Sequence, residues 1–114
     1  MNMSRNDRRA AVLNCATSLE VMLKKKLVEY FESNPINQDL QEYLLKQADG
    51  FSKLLELSKK LKIPLEGMPN VQETVMRIRH RVIHGGCVPT YTEAHTAFDD
   101  TRRALRALTV QMFE

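Results

Sequence analysis

Helix-breaking residues divide this 114-residue chain into a few long segments, and few such residues lie within the segments themselves. The four prolines and four glycines lie almost entirely between segments whose apolar residues recur every three or four positions, the spacing of one helix face. Strict alternation of apolar and polar residues, which is typical of a half-buried strand, occurs nowhere in the sequence. The pattern therefore predicts an all-α fold, an antiparallel bundle of four or five helices.

The helix boundaries follow from these breakers and from capping signals. The Asp-Gly pair at 49–50 either kinks one long helix or separates two shorter ones. Two capping boxes, Asn70 with Glu73 and Thr90 with Glu93, are expected to open the last two helices. The expected helices cover residues 4–31, 38–61, 71–83 and 91–112.

Three of these helices are expected to turn an apolar stripe toward a common core, and in the first helix it consists of Val12, Ala16, Leu19, Leu23, Leu27 and Tyr30. In the second stretch the stripe begins with Leu40, Leu44 and Ala48. In the last helix it consists of Ala94, Phe98, Thr101, Leu105, Leu108 and Met112. A chain of this length can bury one modest core, so we expect residues 1–114 to form a single domain. Whether that domain belongs to a longer protein stays open.

Composition says more about the cellular compartment of the protein than about its binding partners. A net charge of +3 tolerates an anionic ligand without demanding one. The N-terminus has no apolar signal core, and no apolar run approaches membrane-spanning length. Cys15 and Cys87 form no C-x-x-C pair, which excludes a structural zinc site of cysteines and indicates free thiols in a reducing compartment. We therefore expect a cytoplasmic protein without a membrane partner.

The segment most informative about chemistry is 77–86, Arg-Ile-Arg-His-Arg-Val-Ile-His-Gly-Gly. It places three arginines and two histidines at the end of a helix. Arginine is a fixed cation whose planar fork fits phosphate, and histidine exchanges a proton near neutral pH. Together these side chains are suited to binding a phosphodiester and moving protons on it without a metal.

Helical spacing brings Arg77, His80 or Arg81, and His84 onto one face. A guanidinium beside an imidazole suits RNA transesterification. The imidazole exchanges a proton with the 2′-hydroxyl or the leaving oxygen, and the arginine stabilises charge on the phosphorane. Arg77 and Arg81 are candidate RNA-binding residues, and Tyr91 nearby is a third because its ring could stack on a base.

Residues 76–98 resemble the HEPN domain family, small all-helical domains found in many prokaryotic defence and toxin systems. The family's hallmark is an R-x4-6-H motif with a polar residue just after the arginine. Here Arg79, which lies off the face of the other cations, is that arginine, His80 is the polar residue and His84 is the histidine. The glycine after the histidine, the short loop and the long first and last helices also look like the family.

This resemblance implies a metal-independent endoribonuclease, a toxin or defence effector that cuts RNA by attack of the 2′-hydroxyl. It assigns Arg79 to stabilising the phosphate, His84 to acid–base catalysis and His80 to polar support, with no cofactor. In the family the cleft usually forms where two motif helices face each other, so a homodimer is expected, with an antitoxin as a further partner. Three apolar residues should then be buried between subunits: Met76, Ile83 and Val88.

Other interpretations stay open at this point. Some HEPN domains have lost catalysis, so the chain could be a module that binds a nucleotide, an RNA or a partner protein. A structural dimerisation bundle, or a solvated helix end with cations on its last carbonyls, is also possible. His80 and His84 have the i, i+4 spacing of helical zinc ligands, with His95 as a third histidine. However, Arg81 replaces the metalloprotease glutamate, and neighbouring arginines repel a metal ion.

Overall fold

The computed structural model describes residues 4–34 and 36–112, the last three by their backbone alone, and these residues form helices and no strands. The described elements are α1 Arg5–Ser33, α2 Gln38–Gln47, α3 Phe51–Lys60, a π-helical segment Gln72–Met76, α4 Arg77–Gly85 and α5 Tyr91–Met112. The predicted all-α bundle is confirmed. None of the helices in these two ranges combines the length and the apolar character that crossing a lipid bilayer requires.

Helix α1 is the spine of the bundle, since it contacts α3, α4, α5 and the π-helical segment. It begins at Ser4, whose hydroxyl accepts from the N–H of Asp7 while the Asp7 carboxylate accepts from the N–H of Ser4. Fully burying one leucine side chain contributes about 1.5–3 kcal/mol, so the inward face of α1 stabilises the whole fold. That face consists of Val12, Cys15, Ala16, Leu19, Leu23, Lys26, Leu27 and Phe31.

The two longest helices, α1 and α5, run parallel. Near the start of α1, the Arg8 guanidinium donates to the carbonyl of Pro89, which directly precedes α5. Near the end of α1, the Lys26 ammonium donates to the carbonyl of Leu108, near the end of α5. The expectation of antiparallel neighbours does not hold for this pair, because α4 returns the chain to the start of α1 before α5 begins.

Helix α4 runs antiparallel to α1, although α2, α3 and the π-helical segment lie between them in the chain. Near the start of α4, Arg79 contacts Glu20 in the middle of α1. Just after α4 ends, the carbonyl of Gly86 accepts from Arg9, close to the start of α1. The motif helix is therefore tied to the spine at both of its ends.

The Asp-Gly pair at 49–50 separates two helices. Ala48 ends α2 by donating its N–H to the Leu44 carbonyl, and Gly50, with a φ of +92° that side chains avoid, begins α3. None of the residues in α2, all of them described, is fully buried. The inward position expected for Leu40 is wrong, since this residue is 47% exposed.

The buried stripe of α5 differs from the predicted stripe at Phe98, which is 50% exposed. Ala97 and Ala104, which each lie one residue before a predicted stripe position, are fully buried. Their small side chains allow α5 to lie close against α1, whereas the prediction gave weight to large apolar residues. The buried residues of α5 are Ala94, Ala97, Thr101, Ala104 and Leu108, and the predicted Met112 side chain lies outside the described part.

Candidate functional site

A π-helical turn leads directly into the motif helix. The N–H of Arg77 donates to the carbonyl of Gln72, five residues earlier. The predicted capping box of Asn70 and Glu73 is not formed, because the Glu73 carboxylate instead accepts from Arg77 at 3.1 Å. Such turns insert an extra residue into a helix and are frequent at functional sites, because they change the direction of the side chains that follow.

The glycine pair ends α4, as predicted. Gly86 has a φ of +62°, and the N–H groups of Gly86 and Cys87 both donate to the Arg81 carbonyl. A residue in the left-handed conformation at this position lets the backbone leave the helix axis while its N–H still donates a hydrogen bond to a carbonyl of the last turn. His84 therefore lies on the last turn of the helix, next to the loop.

Two arginines of α1 hold the loop that follows the motif. Arg8 Nε donates to the Pro89 carbonyl at 2.8 Å, and Arg9 Nη2 donates to the Gly86 carbonyl at 2.9 Å. Sequence reasoning did not identify these two positioning residues. The contacts span 81 and 77 residues, and no local pattern reveals such a distant partner.

A cleft of about 560 Å³ lies between the start of α3 and the face formed by the π-helical segment and α4. The three motif residues, Arg79, His80 and His84, all line this cleft, and Arg77 joins them. Helical spacing predicts that Arg79 lies off the face of the other cations, but Arg79 lines the cleft with His80 and His84, whereas Arg81 does not. Met76 and Ile83 add apolar surface between the charged groups, as the cleft lining shows.

The rings of His80 and His84 stand beside each other in this cleft. Their centroids are 4.4 Å apart and the ring planes are tilted by 42°. Both side chains are exposed, so both imidazoles are accessible to one ligand. Within residues 4–34 and 36–112, no three histidine, cysteine, aspartate or glutamate side chains form a group that could hold a metal ion.

Arg79 is oriented by an acidic residue of α1. Its Nη1 lies 3.5 Å from Glu20 Oε1, and its side chain stays 40% exposed. One such contact uses a single edge of the guanidinium and leaves other N–H groups for an anion in the cleft. Sequence reasoning did not single out Glu20 as a partner of the motif, because the two residues belong to different helices.

Arg81 and Glu93 join α4 to α5 and lie outside the cleft. Arg81 Nη2 is 2.6 Å from Glu93 Oε2, while Glu93 Oε1 accepts from the Thr90 N–H at 2.9 Å. The Thr90 hydroxyl accepts in turn from the Glu93 N–H, so the predicted capping box is confirmed. The Thr90 N–H, with Arg81, holds the pKa of Glu93 below its usual value, although partial burial opposes this.

Tyr91 also lies apart from the motif residues. It is 41% exposed on the first turn of α5, and its ring centroid lies 5.2 Å from that of His95. Of the three residues predicted to bind RNA, the structure thus brings Arg77 to the cleft and places Arg81 and Tyr91 elsewhere.

The wall opposite the motif was not predicted. It consists of residues 49–53, and Lys53 is its exposed cation. Ser52 and the Gln72 amide hydrogen-bond across the two walls at 3.1 and 3.2 Å. This link fixes the start of α3 against the π-helical segment, so the spacing of the walls is set by the fold.

Comparison of the chain with family models, with curated proteins and with solved structures finds no match. The likeness to the HEPN family therefore depends on Arg79, His80 and His84 and on their place at the end of α4.

Proposed function

We propose that this protein is a metal-independent endoribonuclease of the HEPN type, acting on RNA in the cytoplasm as a toxin or defence effector. The observation that carries the proposal is that Arg79, His80 and His84 line one cleft. A fixed cation beside groups that exchange protons is the combination that transesterification of a phosphodiester needs when no metal takes part.

In the proposed reaction, the ribose 2′-hydroxyl attacks the adjacent phosphorus and the bond to the 5′-oxygen breaks. His84 acts in the proton transfers, and Arg79 stabilises the negative charge that builds on the non-bridging oxygens. The products are a 2′,3′-cyclic phosphate and a 5′-hydroxyl. No cofactor takes part in this sequence.

The geometry of the cleft supports this chemistry in two ways. Its volume of about 560 Å³ lies within the range of about 300–1,000 Å³ that is typical of ligand sites. Glu20 Oε1 lies 3.5 Å from Arg79 Nη1 without a hydrogen bond, and its charge favours this position of the guanidinium before substrate binds. A donor that is already oriented stabilises the transition state at little reorganisation cost.

A homodimer is part of the proposal, as the family resemblance implies. Ile83 lies directly before His84 and is 51% exposed, so its side chain is available to a partner. Met76 and Val88 nearby are half-buried. We place all three at an interface that brings two motif helices together. The free thiols of Cys15 and Cys87 fit the proposed reducing compartment.

A non-catalytic module that binds a nucleotide, an RNA or a partner protein is the second candidate. One observation favours it, namely that each arginine of the motif helix already has a carboxylate partner. The pairs are Arg77 with Glu73, Arg79 with Glu20 and Arg81 with Glu93. Carboxylate partners reduce the positive charge that these arginines could offer to a transition state. Such pairing suits a surface that only orients a ligand.

The test is incubation of the purified protein with a mixed RNA pool in EDTA. The His84→Ala variant is compared with His95→Ala, a matched control because His95 is also exposed but lies on α5 outside the cleft. We expect the wild type and the control to cleave and leave 2′,3′-cyclic phosphate ends, while His84→Ala does not. Absence of cleavage by folded wild-type protein would favour the binding module.

A further inference from the structure

We propose that His80 is a second proton-transfer group, so that two histidines of one chain divide the two proton transfers of RNA cleavage between them. This inference rests on the endoribonuclease function proposed above. It goes beyond the polar support that the family resemblance gives His80, because it makes His80 a catalytic residue that touches the reacting atoms.

The surroundings of His80 do not fit a supporting role. A supporting side chain is held by hydrogen bonds to the group that it orients. Within the described residues the imidazole of His80 makes no hydrogen bond or ion pair, and its ring centroid lies 4.4 Å from that of His84. Both side chains are exposed. His80 is therefore as accessible to a substrate as His84 is.

The reaction itself needs two proton-transfer positions. In an in-line displacement, the attacking 2′-oxygen and the leaving 5′-oxygen lie on opposite sides of the phosphorus. A single imidazole would have to move from one oxygen to the other during the reaction. Two imidazoles side by side on one helix face can serve both oxygens at once, because residues four apart are neighbours on that face.

The proton transfers balance as follows. One neutral imidazole takes the proton of the 2′-hydroxyl as the bond from the 2′-oxygen to phosphorus forms. The other imidazole, protonated, gives its proton to the 5′-oxygen as the bond from phosphorus to that oxygen breaks. The pair ends with the proton on the opposite ring, and hydrolysis of the cyclic phosphate or exchange with water restores it.

Several charged side chains surround His80 and His84. They are Arg77 and Arg79 on α4 with their partners Glu73 and Glu20, and Asp49 and Lys53 across the cleft. These three cations and three carboxylates balance in formal charge, and the pair of Arg81 and Glu93 lies outside the cleft. Histidine is the residue type that exchanges protons near neutral pH.

The test compares a short RNA with the same RNA carrying sulfur in place of the 5′-bridging oxygen at the cleaved bond. A thiolate leaves without being protonated, so this substrate does not need the acid. The variants are His80→Gln and His84→Gln, with His95→Gln as the control outside the cleft. Both cleft residues are exposed, so these substitutions leave the core unchanged.

We expect both cleft variants to cleave ordinary RNA at least about 10²-fold more slowly than the wild type, as general acid–base groups do when lost. One variant, and only one, should recover a rate near that of the wild type on the sulfur substrate, which identifies the acid. The wild type should show a bell-shaped dependence of rate on pH. Each variant should show only the rising or only the falling side of that curve, because one of the two groups is missing.

Wild-type rates for His80→Gln on ordinary RNA would overturn the inference and leave the proposed function intact. The same holds if the sulfur substrate restores both variants or neither, since neither result divides the transfers between two groups. Wild-type protein that cleaves neither substrate would remove the proposed function, and this inference with it.

Discussion

Individual side chains at the cleft have structural and chemical tasks that can be separated by substitution. Arg79 is the clearest case, because it contacts Glu20 at 3.5 Å and also lines the cleft. A half-exposed ion pair of this kind contributes less than about 1 kcal/mol to stability. The chemical task attributed to Arg79 should therefore dominate the effect of its removal.

We predict that Arg79→Ala lowers the RNA cleavage rate by about 10²–10³-fold, the usual effect of losing one transition-state donor. Its free energy of unfolding should fall by less than about 1 kcal/mol. Single-turnover kinetics and urea denaturation measure the two effects. Arg103→Ala is the control, since Arg103 contacts Asp100 at 3.5 Å on an exposed face. Equal cleavage rates for both variants would contradict the role of Arg79.

Glu93 illustrates a structural task with a defined pH dependence. Its folded-state pKa is lowered, first by the Thr90 N–H and then by Arg81. The stabilisation is therefore present above the carboxyl pKa of the unfolded chain and is lost as pH falls through the lower folded-state value.

Glu93→Gln keeps a capping-box acceptor but removes the charge that faces Arg81, so we predict a loss of up to about 1 kcal/mol in the free energy of unfolding at pH 7. The difference from the wild type should shrink as pH falls below about 4.3, the usual value for glutamate. Denaturation at several pH values measures this. Glu56→Gln, which removes only an exposed contact with Lys60, should have little effect. A difference that does not vary with pH would contradict this explanation.

At the scale of helices, features set by interactions between residues close in sequence were predicted more accurately than features set by tertiary packing. The C-terminal end of α4 and the start of α5 were predictable, because a glycine pair and the Thr90–Glu93 box act within a few residues. The π-helical turn was not, since an alternative bond of Glu73 to Arg77 competes with the expected cap. The exposure of Phe98 was missed because close packing of α5 favours the alanine at position 97.

The end of α4 offers a test of how the motif is positioned. Gly86→Ala should lower the free energy of unfolding by about 1–2 kcal/mol, because its φ of +62° is unfavourable for residues with a Cβ. Gly85→Ala should cost less, since Gly85 is helical and its Cβ would meet only the Cys87 sulfur, at 3.2 Å. Thermal denaturation measures both. A larger loss for Gly85→Ala than for Gly86→Ala would contradict this reason for the glycine at 86.

At the scale of the whole molecule, the cleft is assembled from parts that are distant in sequence. The motif on α4 was predictable, because its residues lie within about one and a half turns of a single helix. The facing wall at 49–53, the contact with Glu20, and the loop held by Arg8 and Arg9 were not. Each depends on how α1 and α3 pack, and helical periodicity does not determine which helices become neighbours. The parallel course of α1 and α5 was missed for the same reason.

The central claim is that this cleft cuts RNA through the 2′-hydroxyl without a metal. The most direct measurement uses one RNA oligonucleotide that the protein cleaves and the same molecule with a single 2′-deoxy sugar at the cleaved position, both in EDTA. We predict cleavage of the all-RNA strand, leaving a 2′,3′-cyclic phosphate, and no cleavage at the 2′-deoxy position. Equal cleavage of both strands, or loss of cleavage in EDTA that a divalent metal restores, would contradict the claim.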